Sequence, residues 1–217
     1  MAVANFDQLN NLVLVPLEEI PEESRRSEPY EEYFDEDFTE QEREDRIETA
    51  RKLEGPVRDY LTLLMIMLWM NMDRMDDARD EFVQSLSEEN IGDEDYRVGL
   101  ADDLYDSTMR NQDDPWFFSE DRVYWVSENE SQTVENAKDF ALAKARGMTR
   151  KRWIGMADKR ERKTHLALND KILPIDALYD IGKAKGLYPK DTMSPMSTLA
   201  EHPEEIINCR CRIEYLR

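Results

Sequence analysis

Residues Glu205–Arg217 read EIINCRCRIEYLR and hold both cysteines of the chain, Cys209 and Cys211. Side chains of an extended strand alternate between its two faces. That puts Ile207, Cys209, Cys211, Ile213 and Tyr215 on one side and Asn208, Arg210, Arg212 and Glu214 on the other. The expectation is a late strand that closes a domain with both thiols turned inward. At this spacing two Cα atoms lie about 6.5–7 Å apart, a poor span for a mutual disulfide, so the thiols are expected to be reduced.

Toward the N-terminus the same procedure gives alternating elements. KRWIGM (Lys151–Met156) alternates like a strand, and IDALYDIGKAKG (Ile175–Gly186) reads as a short helix stopped at Gly186. RVYWV (Arg122–Val126) reads as a strand. Glu128–Arg146 reads as an amphipathic helix with Val134, Ala137, Phe140, Ala141 and Ala145 on one stripe, ended at Gly147. Residues 122–217 are therefore expected to form a small mixed helix-and-strand domain, and the fold class is α+β.

The part before residue 122 reads differently. Residues 88–121 are acidic and turn-rich and are expected to be exposed loops; IGDEDYRVG and DDLYDS both lack the order of a calcium loop. YLTLLMIMLWMNM (Tyr60–Met72) is apolar nearly all round, which predicts a helix buried between neighbours or within an oligomer, continuing past Phe82 and Leu86. Met65, Met67, Met70, Met72 and Met75 serve packing or an adaptable contact surface. Thr39-Glu-Gln-Glu42 has the form of a capping box, with Ile47, Ala50 and Leu53 at helical spacing behind it. Gly55-Pro56 is expected to end that helix and to open the next.

Glu18–Asp45 carries 14 acids and 3 arginines, and two prolines break it, which favours a solvated arm. Its Tyr30, Tyr33, Phe34 and Phe38 are residues that order against a partner surface. NLVLVP (Asn11–Pro16) reads as a strand or a docking arm. The expected organisation is an acidic arm over 1–45, a helical region over 46–121 and the mixed domain over 122–217.

The totals agree with a helix-rich globular chain: 217 residues, 40% hydrophobic, 36% charged, net charge −20. Residues 1–137 hold 12 Lys and Arg against 38 Asp and Glu, whereas residues 138–217 hold 17 against 11. The first part repels nucleic acid, and the second can meet phosphate or an acidic protein face. No run reaches the roughly 18 apolar residues of a membrane span, and Met1–Ala4 opens no secretory signal, so synthesis in a cytoplasm is the expectation.

Two groups of residues could carry chemistry. His165 with Cys209 and Cys211 supplies three of the four ligands of a structural zinc; read the other way, the cysteines are small core residues and His165 bonds a buried carbonyl or Asp158. A Cys–His nucleophile would need an oxyanion turn that no glycine-rich segment provides, so no catalysis and no cofactor are expected, zinc being the one candidate. Arg146, Arg150, Lys151, Arg152, Lys159, Arg160, Arg162 and Lys163 surround Trp153 as a basic concentration that could bind phosphate, an acidic partner or the chain's own acids.

The order W-x4-D-x-R-x-R-x-x-H-x-x-L-N, then P-x-D, then N-C-R-C resembles the head-morphogenesis or minor head proteins of tailed bacteriophages, the phage Mu protein F-like family. The matching residues are Trp153, Asp158, Arg160, Arg162, His165, Leu168, Asn169, Pro189, Asp191, Asn208, Cys209, Arg210 and Cys211, with Glu130 and Asn136 on the helix before them. The likeness covers about residues 122–217 and departs at Asp170, where the family has glycine. It implies a minor capsid component inside the virion head, in contact with the portal or major capsid protein and with packaged DNA, and no reaction. Two other readings are a toxin or nuclease-like enzyme built on His165, Glu130 and Arg162, and a virion protein that binds DNA through residues 144–163.

Overall fold

The computed structural model describes Tyr30, Phe34 and residues 38–70 and 75–217; Asn11–Pro16, most of the acidic arm, Tyr33 and Met72 lie outside the described residues. The capping box forms: the Thr39 amide donates to Glu42 at 2.9 Å and the Glu42 amide donates to the Thr39 hydroxyl at 3.3 Å. It opens α1 (Glu40–Met70), which runs straight through Gly55-Pro56, contrary to the expected break. Gly55 has no Cβ to clash with the proline ring, so the helical conformation before Pro56 is open to it. Leu53, Val57, Tyr60, Leu61 and Leu64 are all buried and hold the turns on both sides of the proline. Within the chain itself the Met-rich stretch is covered only in part: Met67 is buried, but Trp69 and Met70 are 52% and 42% exposed.

The acidic stretch 88–121 is not the loop its composition predicts. After α2 (Met75–Glu88) it forms α3 (Glu94–Arg110), whose N-cap Asp93 accepts from the Tyr96 amide at 2.9 Å. Tyr96, Leu100, Ala101, Leu104 and Thr108 recur at helical spacing and are buried, while the acids that dominate the composition lie between them. Tyr60 stacks on Phe82 with ring centroids 4.6 Å apart and donates to the Ala101 carbonyl at 3.2 Å.

RVYWV is likewise not a strand; it lies within α4 (Glu120–Ala145), which follows a 3-10 turn at Pro115–Phe118. Four β-prone residues do not outweigh a helix start at which the Ser119 hydroxyl accepts from the Arg122 amide. Arg122 is buried in the helical arrangement, donating to Thr108 and Ser107, each at 2.7 Å, and to the Phe117 carbonyl at 2.8 Å. Gly147 does end α4 as expected. Its φ is 72°, and the Gly147 and Met148 amides return to Lys144 and Ala143, a Schellman closure.

The described residues divide into two units. One holds Ala50–Ser127 with Tyr30, the other Glu128–Arg217 with Phe34 and residues 38–49, and α1 and α4 contribute to both. The described arm aromatics are buried within the chain: Tyr30 donates to Glu54 at 2.5 Å in the first unit, and Phe34 packs on Phe38 in the second.

The second unit carries the β structure, in keeping with an α+β class. β1 (Arg150–Ile154) is central in an antiparallel sheet between β2 (Ile172–Pro174) and β5 (Arg212–Leu216), with Trp153 opposite Ile213. A one-turn helix, α5 (Lys163–Leu166), follows β1. The helix expected over Ile175–Gly186 is instead a hairpin of β3 (Tyr179–Ile181) and β4 (Ala184–Gly186). Gly182 opens its two-residue loop with φ 61°, and a Cβ there would collide with the Glu205 carboxylate, so the loop glycine decides the hairpin. The final strand is shorter than alternation predicts. Asn208 adopts φ 56°, a left-handed conformation that no strand continues through, and Ile207 is 41% exposed. Among the described residues no helix is long and apolar enough to cross a membrane.

Candidate metal centre

The left-handed turn at Asn208 delivers Cys209 and Cys211 into the core by a loop instead of a strand face. Each is 2% exposed, as is His165 on α5. His165 Nδ1 lies 3.4 Å from Cys209 Sγ and 3.5 Å from Cys211 Sγ, and the three donor atoms fall within 4.8 Å of one another. A tetrahedral zinc with bonds of about 2.3 Å to sulfur and 2.0–2.1 Å to nitrogen separates such donors by about 3.6 Å, so the trio could hold a metal as it stands. The second imidazole nitrogen, Nε2, meets Glu205 Oε2 at 3.1 Å. That carboxylate–imidazole pairing fixes the ring orientation in the way metal-ligating histidines require. Trp153 closes one side, its ring edge-on to His165 at 5.6 Å and to Tyr179 at 5.1 Å.

The electrostatics divide the thiols. Cys209 is held well below the ordinary thiol value because Cys211 donates to it and His165 bonds it, against the cost of burial. Cys211 is pushed up by that donated bond and by burial. Burial works against a charged His165, but the bond to Cys209 and the charge there raise it. Cys209, His165 and Glu205 thus line up as a nucleophile, base and orienting acid would. Cys209 Sγ is nevertheless buried, and Cys211 Sγ lies against the same imidazole nitrogen.

Around this trio the residues of the motif hold backbone in place. Asp158 accepts the Arg160 and Glu161 amides at 2.8 and 2.9 Å and the Arg210 guanidinium, and Arg162 donates to the Ile207 carbonyl. Slight burial of Asp158 works against ionisation, yet the Arg210 bond and the Arg160 amide hold its carboxyl below the usual range. Asn169 accepts the Gly155 amide at 2.9 Å; Asp191 accepts the Leu187 and Ser194 amides at 2.8 and 3.0 Å. Asn136 donates to the Pro189 carbonyl at 2.9 Å and accepts from the buried Arg46 at 3.1 Å. Glu130 is half-buried beside Lys190. Arg210, expected on the outer face, is 8% exposed.

The basic concentration loses one of its members to the core. Lys151 is buried, donating to the Ile175 carbonyl at 2.6 Å with its ammonium over the Phe140 and Tyr179 rings, so it cannot contact phosphate. Arg152 pairs with Glu214 at 3.3 Å and Arg150 donates to the Arg217 carbonyl at 2.9 Å, while Arg146, Lys159 and Lys163 are exposed. Sequence reasoning missed Lys190, Asn129, Gln132, Glu161 and Glu205. Lys190 is 1% exposed, has φ 59° and donates to the Asn129 carbonyl at 2.6 Å; Gln132 donates to the Cys211 carbonyl at 3.0 Å. Only the place of Lys190 inside Pro189-Lys-Asp191 signalled it. Comparison with protein-family models, curated proteins and solved structures finds no match to this chain.

Proposed function

We propose that the chain is a minor capsid, head-morphogenesis protein of a tailed bacteriophage: a structural component inside the head near the portal, with no catalytic role. The observation that carries this reading is the use made of the motif residues. Asp158, Arg162, Asn169, Asp191 and Arg210 spend their polar groups on backbone or on one another around His165, Cys209 and Cys211, as in an assembly module whose shape is its function. The metal that a nitrogen and two sulfurs at tetrahedral spacing select is zinc. The net charge of −20 suits a protein beside packaged DNA, since it resists adhesion to the genome. Portal and major capsid protein are the proposed partners. The burial of Lys151 weakens the DNA-binding alternative, and the buried thiols weaken the enzymatic one.

The test is sedimentation of phage-infected lysates carrying a tagged copy. The protein should travel with procapsids and be recovered with portal after mild disruption. Recovery only at the top of the gradient, with procapsids present lower down, overturns the assignment.

A further inference from the structure

We infer that Glu161 supplies a fourth protein ligand to the His165–Cys209–Cys211 centre and so closes it to water. The inference rests on the metal reading just given and adds the residue that decides between a closed and an open site. Glu161 Oε1 lies 3.8 Å from Cys211 Sγ, close to the roughly 3.6 Å that sulfur and oxygen ligands keep across one tetrahedral zinc. Its other oxygen, Oε2, accepts the Ala157 amide at 2.7 Å, so the carboxylate is already oriented with one oxygen turned to the thiol.

The loop is shaped to admit that carboxylate. At Gly155 any Cβ would collide with it, and Ala157 takes φ 53°, a left-handed conformation that an alanine adopts only under constraint. Asp158 pins the Glu161 amide from the opposite side at 2.9 Å. Trp153 adds an independent sign. Its buried indole Nε1 bears on the Cys211 thiol without making a close hydrogen bond, and a metal-bound thiolate would be a stronger acceptor for this N–H. Glu161 stands outside the 4.8 Å grouping of the other three donors, so its carboxylate must swing inward from Cys211 to bring Oε1 onto a metal they hold. Four protein ligands leave no position for an activated water, the mark of a structural centre.

The experiment is titration of the full-length reduced protein with Co(II), then competition by Zn(II), followed by visible absorption. Wild type should bind one equivalent with a thiolate-to-metal band and the intense d–d bands of four-coordinate cobalt. C209S and C211S should each weaken the thiolate band. E161A should lower metal affinity by about 100-fold and admit an exchangeable ligand, read as a spectral shift on adding azide. E161Q keeps an acceptor for the Ala157 amide and guards against a folding defect; it should show the same loss with unchanged far-UV circular dichroism. E161A and E161Q with wild-type affinity and spectra overturn the role of Glu161 while leaving a three-donor centre. No cobalt binding by wild type overturns the centre itself. Neither result touches the sedimentation test of the assembly reading, which fails or stands on its own.

Discussion

Asp170 shows how one side chain reports on the backbone beneath it. Its φ is 62°, and its amide closes on the Trp153 carbonyl at 2.9 Å, so the position needs a left-handed residue and aspartate is among the few non-glycines that tolerate it. D170G should hold or raise stability, by up to about 1 kcal/mol, whereas D170V should lower it by about 1–2 kcal/mol in urea unfolding. Lys151 gives a pH dependence whose sign follows from burial. Burial lowers its pKa to about 8 from an ordinary 10.5. Between those values the folded chain binds fewer protons than the unfolded one, so this group's contribution to stability rises with pH. Denaturation at pH 7.5 and 9.5 should show K151M losing that rise; an unchanged slope would mean the ammonium is not buried in solution. Asp158, Arg160, Arg162, His165 and the two cysteines were legible as a dense polar constellation, whereas Glu130, Asn136 and Asp191 stood out only through the family resemblance. Lys190 and Glu161 were not legible, since nothing in a lysine or glutamate codes for burial before the fold surrounds it.

Elements were legible where a local signal acts alone. The capping box at Thr39, the glycine stop at Gly147 and the alternation of β1 each need only neighbouring residues, and each forms. They were misread where distant packing decides. RVYWV is helical because Arg122 finds its acceptors on α3 and the turn before α4, and Gly182 makes a hairpin of apparent helix because Glu205 occupies the space beside it. The Gly55-Pro56 step gives a test at this scale. With Pro56 present, G55A should destabilise, because a Cβ before proline disfavours the helical conformation. In a P56A background the same change should stabilise by about 1 kcal/mol, the ordinary gain of alanine over glycine in a helix. A G55A effect of the same sign in both backgrounds would show that α1 breaks at that step.

For the whole molecule, composition conveyed the class and concealed the division into units. The acidic excess before residue 122 hid α3 by outnumbering its apolar stripe, whereas the helix-and-strand character of the rest was visible in its changing periodicity. Bound metal should stabilise the chain by mass action, by about 4 kcal/mol when free metal exceeds its dissociation constant 1,000-fold. Adding a chelator should lower the thermal midpoint, and excess Zn(II) should restore it; a midpoint indifferent to both would leave the cluster a packing device. The sheet order carries one more consequence. β5 joins the sheet beside β1, Arg150 opposite Leu216, and the intervening chain must be gathered before that pairing returns any free energy. Refolding should therefore be slow, with both sulfurs open to alkylation until β5 docks, and refolding in air without reductant should let exposed thiols oxidise between chains before the domain closes.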